Sequence, residues 1–319
     1  MSKATILEDL LGNFLNEATD LFAALVVDLE GFVIAKQSVK ILDEELIGAI
    51  MTILEQTISR IKRYTETSFG SGTFDTNEFQ LFYIELSKIV PAIFVLVADP
   101  YSNLNQYIPY SYIVAEKISL ILNNQDTPIN IPRLDNGGKL VLESDNESNT
   151  QQKNIQKIVV IGPEQVGKTT LVNMYCYGTF QENYKPTIGI SIIEKNLQIS
   201  RDFNLAFHIL DLGGLKSFAK IRRFYYRYSN AILLLFDYER IETFNNIVEW
   251  IEESRQFASD ESVPIILIGN KIDLIENHGA IRKRAEDLAK QYKFPFFETS
   301  ALTGQGIDEL FTYLISNLF

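Results

Sequence analysis

The clearest chemical pattern in the sequence is GPEQVGKT, from Gly162 to Thr169, which has the spacing G-x-x-x-x-G-K-[ST]. Glycines at these positions let the backbone wrap a phosphate with its N–H groups, while Lys168 bridges the β- and γ-phosphates and the Thr169 hydroxyl ligates Mg²⁺. The alternative is a glycine-bearing turn beside a solvated lysine. A strand-like run before the motif and a helical run after it favour the phosphate cradle. The other residues that we assign to it are Gln165, Val166, Gly167 and Thr170.

A second pattern, NKID at residues 270–273, directly follows the apolar run PIILIG. The carboxylate of Asp273 can accept hydrogen bonds from N1 and N2 of guanine, and adenine offers no such pair of donors, so Asp273 indicates GTP rather than ATP. The run ETSALTG follows another apolar strand, where the backbone N–H of Ala301 can donate to guanine O6. Either pattern alone is a weak indication, but chance explains poorly their order after the phosphate motif. The predicted base-binding residues are Asn270, Lys271, Asp273, Ser300, Ala301 and Leu302.

The elements that position these residues are short apolar strands alternating with amphipathic helices. Continuous apolar runs separated by helical patterns predict a mainly parallel sheet covered by helices on both faces, an α/β doubly wound domain. The N-terminal part has a different order of elements, α-β-β-α-β-β-β-α, which predicts an α+β domain. It includes a hairpin about a DLEG turn and a long helix that begins at Asp43. The predicted strands of the C-terminal part lie at residues 157–162, 204–212, 231–237, 264–270 and 294–300.

Residues 155–319 resemble a small GTPase of the Ras superfamily over their whole length. The motifs GPEQVGKT, YKPTIGI, DLGG, NKID and ETSA occur in the order that this family shows. The resemblance implies a P-loop GTPase domain that binds GTP or GDP with Mg²⁺. PTIG and FNNIVEWIEE look Rab- or Ras-like, whereas GKTT and the paired glycines of DLGG look Arf-like, so the branch of the superfamily stays open.

The resemblance also assigns roles to residues outside the two binding patterns. Thr187 would bind Mg²⁺ through its hydroxyl and the γ-phosphate through its N–H, Asp211 would hold Mg²⁺ through water, and the Gly214 N–H would contact the γ-phosphate. The contacts of Thr187 and Gly214 exist only while the γ-phosphate is present, so its loss would release both loops. Around the nucleotide, Phe180 would flank the guanine, Lys271 would stack on it and Tyr184 would cover the phosphates.

Two residues depart from the family pattern near the place where water attacks. Leu215 stands where Ras-like enzymes place a glutamine, and leucine has neither donor nor acceptor to orient the water, so we expect slow hydrolysis. Glu164 stands where the family keeps a small residue near the γ-phosphate. Its carboxylate would meet like charge there unless its side chain turns outward or positions the water itself, and Gln165 is an alternative for positioning the water. Lys168, Thr187 and Gly214 complete the predicted catalytic set. Arginines that could supply a positive charge are Arg222, Arg223 and Arg227, although solvated salt bridges are their commoner role on such a helix.

Residues 1–123 are similar to roadblock/LC7 domains in the order of their strands and in the hairpin VVDLEGFVIA. A longin-like or profilin-like sheet is the competing interpretation. Roadblock domains pair through the long helix and an edge strand, so the apolar stripe from Ile47 to Ile61, widened by Leu46, Met51 and Ile53, predicts a homodimer or a docking site for a roadblock-containing partner. In a monomer the same stripe would be a core helix packed on its own sheet. Residues 124–154 are rich in Asn, Asp, Ser and Gln, which predicts a linker.

Composition limits the partners of the chain. The sequence has 41 acidic and 29 basic side chains, a formal net charge of −12, which disfavours nucleic acid and anionic lipid as ligands. Because we find no lipid-anchor motif, signal peptide or membrane-spanning run, we expect a cytoplasmic protein whose membrane contacts depend on a partner. We expect either a GTP-dependent switch with an activating or exchange partner, or a GTP-bound structural adaptor that hardly hydrolyses its nucleotide.

Overall fold

The computed structural model contains two compact units, Met1–Arg133 with Leu140–Glu143 and Ser144–Phe319 with Leu134–Lys139. The residues that the structure describes are 2–40, 43–65, 70–86, 90–131, 133–134, 140–141, 154–180, 186–199, 204–258, 260, 262–275 and 279–318. Within these ranges, no helix combines the length and the apolar character needed to cross a membrane.

The first unit is a five-stranded antiparallel sheet with helices on both faces. Its elements are α1 (Lys3–Glu17), β1 (Leu21–Asp28), β2 (Val33–Ser38), α2 (Glu44–Thr65), β3 (Ser71–Asp75), β4 (Gln80–Glu85), β5 (Ala92–Ala98) and α3 (Ile108–Leu122). This is the predicted order of helices and strands. Across the sheet the strands run in the order β2-β1-β5-β4-β3, which leaves β2 and β3 at its edges.

Apolar residues that alternate along the strands hold the helices to this sheet. Met51 of α2 packs with Leu25 of β1 and Val95 of β5. Phe14 of α1 instead contacts Phe94, the neighbour of Val95, with 6.2 Å between the ring centroids. Because successive residues of a strand point to opposite faces, α1 and α2 cover opposite faces of the sheet.

A single chain buries only part of the apolar stripe of α2. Ile47 and Met51 are buried, but Leu46 and Ile53 are 46% and 64% exposed. Leu46 and Ile53 lie on the side of the helix that is turned away from the sheet, so this part of the apolar stripe is not covered within a single chain. The side chains of residues 57–65, where the predicted stripe ends, lie outside the described residues.

A pair of glycines brings the β1–β2 turn into contact with α2. Gly31 has a φ of +91°, in the left-handed region that favours glycine. A Cβ added to Gly48 of α2 would lie 2.3 Å from the carbonyl oxygen of Gly31, and one added to Gly31 would lie 2.6 Å from that of Gly48. The backbones of the turn and the helix therefore touch directly, without side chains between them.

Two short strands lie within residues 124–154. β6 (Arg133–Leu134) pairs with β7 (Leu140–Val141). The stretch for which we predict a linker therefore contains a small two-stranded sheet of its own.

The second unit is a six-stranded, mainly parallel sheet. Its elements are β8 (Asn154–Ile161), α4 (Lys168–Tyr177), β9 (Ile190–Gln198), β10 (Asn204–Leu212), α5 (Ala219–Tyr226), β11 (Ala231–Asp237), α6 (Ile241–Asn245), α7 (Ile247–Phe257), β12 (Ile265–Asn270), α8 (Gly279–Tyr292), β13 (Phe296–Thr299) and α9 (Ile307–Asn317). The strands run in the order β13-β12-β11-β8-β10-β9, and only β9 is antiparallel to its neighbour. The predicted doubly wound sheet is present.

Helices cover both faces of the second sheet. Leu171 of α4 and Phe311 of α9 pack with Leu235 of β11 in one apolar cluster. Phe236, the next residue of β11, points to the other face and contacts Phe244 of α6. Since β8, β10, β11 and β12 are parallel, their carboxyl ends lie at one edge of the sheet, and the loops that follow them carry most of the predicted site residues.

Candidate nucleotide-binding site

A cavity of about 550 Å³ opens among the loops that follow β8, β10, β12 and β13. Ligands of open α/β sheets bind in this position, beyond the carboxyl ends of the strands. Pro186, Gly213 and Leu274 also line the cavity. Pro186 and Gly213 lie in the motifs YKPTIGI and DLGG without a predicted role, and Leu274 lies in no motif. Tyr184 lies outside the described residues. The predicted residues that line it are Glu164, Gln165, Gly167, Lys168, Thr169, Thr170, Phe180, Thr187, Gly214, Leu215, Asn270, Lys271, Asp273, Ala301 and Leu302.

Lys168, the first residue of α4, is buried within the phosphate loop. Its Nζ donates to the carbonyl oxygens of Gly162 (2.9 Å) and Pro163 (2.7 Å), so the loop closes around the amino group. Burial lowers the pKa of Lys168 to about 8, and the nearby carboxylate of Asp211 opposes that shift. Gly162 thus contributes to the site through its carbonyl, behind the cavity wall.

Side-chain oxygens of Thr169, Thr187 and Asp211 converge beside this lysine. The two hydroxyls are 3.1 Å apart, and both donate to Asp211 Oδ2, that of Thr187 at 3.2 Å. Asp211 is fully buried, which raises the pKa of its carboxyl, and its Oδ1 has no hydrogen-bond partner among the residues that the structure describes. A buried carboxylate oxygen is unfavourable until a cation or a donor meets it. Hydroxyl and carboxylate oxygens are ligands that Mg²⁺ prefers, so this donor set fits a magnesium ion.

Asn270, the last residue of β12, joins the phosphate loop to the loop after β13. Its Nδ2 donates to the carbonyl oxygen of Val166 (2.8 Å), which is how buried Val166 supports the site. Its Oδ1 accepts from the Thr299 hydroxyl (3.0 Å) and from the Ala301 N–H (3.2 Å). The Ala301 N–H, which we expected to face a base, is therefore bonded within the protein, and a guanine carbonyl would have to share it.

The carboxylate of Asp273 is oriented by Ser300. The Ser300 hydroxyl donates to Asp273 Oδ1 and accepts from the N–H of Thr303 (3.0 Å). Asp273 lines the cavity, and Ser300 supports it by a hydrogen bond without lining the cavity itself. Phe180 and Leu302 add exposed apolar surface to the cavity wall, which suits a planar base.

Asp237, at the end of β11, holds two cations of the site although it belongs to no motif. Its Oδ2 lies 2.7 Å from Lys271 Nζ and 2.9 Å from Arg240 Nε. Arg240 also donates through Nη2 to the carbonyl oxygen of Glu164 (2.6 Å), which ties β11 to the phosphate loop. Asp237 ends a parallel strand as Asn270 does, and this position is the signal by which sequence reasoning could have found it.

The loop after β10 lies against the phosphate loop. The N–H of Gly213 donates to the carbonyl oxygen of Gly189 (2.8 Å). A Cβ added to Gly214 would lie 2.6 to 2.7 Å from backbone atoms of Pro163 and Glu164. Only glycine therefore fits at position 214 while the two loops are in contact.

The residues around the expected position of the attacking water differ in exposure. Leu215 is buried, whereas the side chains of Glu164 and Gln165 are exposed. Arg222 is also buried, and its Nε lies 2.7 Å from Oε1 of Glu253. Our expectation of a solvated salt bridge is thus wrong for Arg222, because packing between α5 and α7 encloses it. The two other candidate arginines, Arg223 and Arg227, are exposed.

Comparison with known proteins agrees with this geometry. Residues 157–319, about half of the chain, match the Ras family. Ras-related protein Rab-30 of Homo sapiens is 35% identical over 162 residues, which are 51% of this chain and 79% of that protein. Ras-related protein RABA6b of Arabidopsis thaliana is 35% identical over 162 residues, 51% of this chain and 70% of that protein. Ras-related protein Rab-32B of Dictyostelium discoideum is 30% identical over 171 residues, 52% of this chain and 65% of that protein.

The match to the Ras family covers the C-terminal half, where the mainly parallel sheet and the cavity lie. The matched residues include the phosphate loop, the residues that end β11 and β12, and the loop after β10. This protein therefore belongs to the Ras family and is a GTPase, with Rab-like similarity in its C-terminal half.

Proposed function

We propose that the protein is a molecular switch that binds GTP or GDP with Mg²⁺ in this cavity and hydrolyses GTP slowly. The main support for this proposal is that Lys168 and the Asp273 carboxylate line one cavity. The oxygens of Thr169, Thr187 and Asp211, which fit a magnesium ion, lie beside the lysine. A buried lysine suits a triphosphate, and an oriented carboxylate suits the N1 and N2 donors of guanine.

The phosphate loop would bind the nucleotide through its backbone N–H groups and through Lys168. Mg²⁺, bound by Thr169, Thr187 and Asp211, would neutralise charge on the phosphate oxygens. Asp273 and the stem of Lys271 would hold the guanine. The remaining residues that we assign to the nucleotide site, by contact or in support, are Gly162, Gln165, Val166, Gly167, Thr170, Phe180, Tyr184, Asn270, Ser300, Ala301 and Leu302.

Thr187 and Gly214 would distinguish the two nucleotide states. Their backbone N–H groups would donate to the γ-phosphate of GTP, and GDP lacks that group. The preference of the protein for one arrangement of these loops over the other would then follow from the differential contacts that the two nucleotides make.

Binding selectivity tests this assignment. We expect purified protein to bind GDP and a non-hydrolysable GTP analogue in titration calorimetry with excess Mg²⁺, and to bind the adenine nucleotides far more weakly. Asp273→Asn should weaken guanine binding by roughly tenfold or more, because a charged acceptor for two donors is lost. Asp260→Asn, which removes an exposed carboxylate elsewhere in the same unit, is the matched control. Equal affinity for adenine and guanine nucleotides would contradict the proposal.

Slow hydrolysis follows from the chemistry of Leu215, whose buried side chain carries no donor or acceptor for the attacking water. Glu164 and Gln165 are the residues of the phosphate loop that could take over this role, since both have exposed polar side chains and line the cavity. Single-turnover hydrolysis should therefore slow further in Glu164→Ala or in Gln165→Ala. If neither variant changes the rate, neither side chain positions the water.

The lack of a donor or acceptor at Leu215 also supports a second candidate function, a GTP-bound structural adaptor that hardly hydrolyses its nucleotide. In that case GTP would act as a folding cofactor, and its removal would lower the stability of the C-terminal unit. The two candidates differ in single-turnover hydrolysis measured at several protein concentrations, with and without residues 1–123. A rate that remains negligible in every form would favour the adaptor and contradict the switch.

For residues 1–123 we propose a roadblock/LC7-like module that forms a homodimer or docks on a roadblock-containing partner. Leu46 of α2 is 46% exposed, and β3 has an edge with no strand partner among the described residues. An exposed apolar helix and an open sheet edge are surfaces that a second copy can cover. Any membrane contact would be made through such a partner.

The mass of the particle in solution tests the dimer. A dimer of the full chain should dissociate to a monomer on Leu46→Asp, because an interface cannot bury an unpaired charge cheaply. Tyr101→Asp is the control, since Tyr101 is 94% exposed and lies between β5 and α3. A wild-type particle with the mass of one chain at high concentration would rule out the homodimer.

A further inference from the structure

We propose that Arg222 is a positioning residue that keeps the loop at residues 213–215 docked against the phosphate loop with either nucleotide bound. Arg222 lies on α5 and its side chain is 4% exposed. Its contacts described below are with protein groups that are not among the proposed phosphate or Mg²⁺ ligands. The hold on the loop therefore comes from the protein alone.

One terminal nitrogen of Arg222 binds the loop. Nη1 donates to the carbonyl oxygen of Gly213 (3.1 Å) and to that of Leu215 (2.8 Å), so it spans Gly214 from both sides. The N–H of Gly213 is already bonded to Gly189. With both flanking carbonyls fixed, Gly214 has little freedom to leave the phosphate loop.

The other nitrogens of Arg222 bind a carboxylate on α7. Nε donates to Glu253 Oε1 (2.7 Å) and Nη2 to Glu253 Oε2 (2.8 Å), which is the paired geometry that a planar guanidinium makes with a carboxylate. The Tyr226 hydroxyl donates to the same Oε1 (2.7 Å), and the guanidinium carbon lies 4.3 Å from the ring centroid of Trp250. The arginine is thus fixed on two helices before it meets the loop.

A lysine cannot reproduce this arrangement. Four N–H groups of Arg222 are used in a fixed plane, two toward Glu253 and two toward the loop, whereas a lysine presents its donors from a single nitrogen. Arg222→Lys therefore keeps the charge and loses the bridge. Glu253→Gln keeps the shape of the anchor and loses its charge.

Docking that does not depend on the γ-phosphate changes how this site switches. A loop that is already in place has little ordering cost when GTP binds, so Arg222 should favour the triphosphate through pre-organisation. Loss of the γ-phosphate would then leave residues 213–215 docked and release mainly the loop that carries Thr187. This inference rests on the proposed nucleotide site.

The test combines nucleotide dissociation with amide hydrogen exchange of the full chain. For Arg222→Lys, and for Glu253→Gln as a second variant in case the first does not fold, we expect a non-hydrolysable GTP analogue to dissociate roughly tenfold or more faster. GDP should dissociate within about twofold of the wild-type rate, because it lacks the phosphate that Gly214 contacts. Tyr226→Phe, which removes only one hydrogen bond to Glu253, should lie between wild type and these variants. Arg282→Lys, in an exposed ion pair on α8, is the control and should leave both rates unchanged.

Hydrogen exchange at residues 213–218 separates positioning from general stability. In the wild type it should be slow with GDP and with the GTP analogue, and Arg222→Lys should make it fast with GDP. The role of Arg222 would be overturned if the variant released GDP and the GTP analogue faster by the same factor. Fast hydrogen exchange of residues 213–218 in wild type with GDP bound would also overturn it. Because exchange can also be measured without nucleotide, a failure of nucleotide binding would be recognised separately, and equal exchange of the loop in wild type and variant would then still contradict the inference.

Discussion

Replacing Gly214 by alanine should weaken the binding of GTP and leave that of GDP nearly unchanged. A Cβ at this position would lie 2.6 Å from the carbonyl carbon of Pro163 and 2.7 Å from the Pro163 oxygen and the Glu164 nitrogen. Ordinary Cβ contacts are 3.4 to 4 Å, and all three opposing atoms belong to the backbone, which cannot turn aside as a flexible side chain can. The two loops would have to separate by about 0.8 Å, the difference between 3.4 and 2.6 Å.

The size of the effect follows from the cost of that separation. Inserting a methyl group into a closely packed contact costs about 1 to 3 kcal/mol. If this cost falls on the docked arrangement that binds the γ-phosphate, the dissociation constant of a GTP analogue should rise roughly 5- to 150-fold. The dissociation constant of GDP should change by less than about twofold, since no contact of GDP depends on Gly214.

Titration calorimetry with GDP and with a non-hydrolysable GTP analogue, in excess Mg²⁺, measures both constants. Gly12→Ala is the matched control, because Gly12 lies inside α1 and its nearest neighbour to an added Cβ is 3.8 Å away. It should leave both constants unchanged and stabilise the N-terminal unit by about 0.5 to 1 kcal/mol. If Gly214→Ala weakens both nucleotides equally, or neither, the reasoning from the loop contact is refuted.

Other substitutions probe the catalytic water, a buried lysine and a helix start. Leu215→Gln should raise the single-turnover rate of phosphate release roughly tenfold or more, because an amide can orient the water that leucine cannot; an unchanged rate would mean that another group already does so. Burial lowers the pKa of Lys157 from 10.5 to about 8, so between these values the unfolded chain binds more protons and wild-type stability should rise with pH. Lys157→Met should remove up to about 3 kcal/mol of that rise in the free energy of unfolding. Unfolding in urea, followed by the fluorescence of Trp250, the single tryptophan of the sequence, measures it. An equal rise in wild type and variant would contradict the lowered pKa of Lys157. Asp43→Ala should destabilise the N-terminal unit by about 1 kcal/mol, because Asp43 Oδ1 accepts from the N–H of Leu46 (3.0 Å) at the start of α2. Circular dichroism in urea measures this loss, and Asp43→Asn should keep most of the wild-type stability.

The parts of the site that the sequence predicts are those whose chemistry lies within a few consecutive residues. A phosphate loop needs its glycines and lysine at fixed spacing, and Asp273 follows its strand directly, so both could be found from the chain alone. Most of the order of helices and strands could also be predicted, because runs of apolar residues with different periods mark them. An exception is β9, which is absent from the predicted strands and in which only one residue is buried.

The supporting contacts could not be predicted in this way, because they join residues that are distant in the sequence. Arg222 and Glu253 are 31 positions apart, and their pairing depends on how α5 packs against α7. From the sequence alone, a solvated salt bridge was the simpler interpretation of Arg222. The exposure of Leu46 and Ile53 is a similar case, since an apolar stripe does not reveal which part of its width the sheet can cover.

The contact between Gly31 and Gly48 constrains how the N-terminal unit can evolve. Since a Cβ on either glycine would overlap the carbonyl oxygen of the other, a first substitution at one position forces the turn and the helix apart. If position 31 changes first, Gly48 loses its steric role, and in helix α2 it would only lower stability relative to alanine. If position 48 changes first, the φ of +91° still favours glycine at position 31. Descendants of a common ancestor that have lost glycine at position 31 should therefore rarely keep it at position 48, whereas loss at position 48 alone should be more frequent.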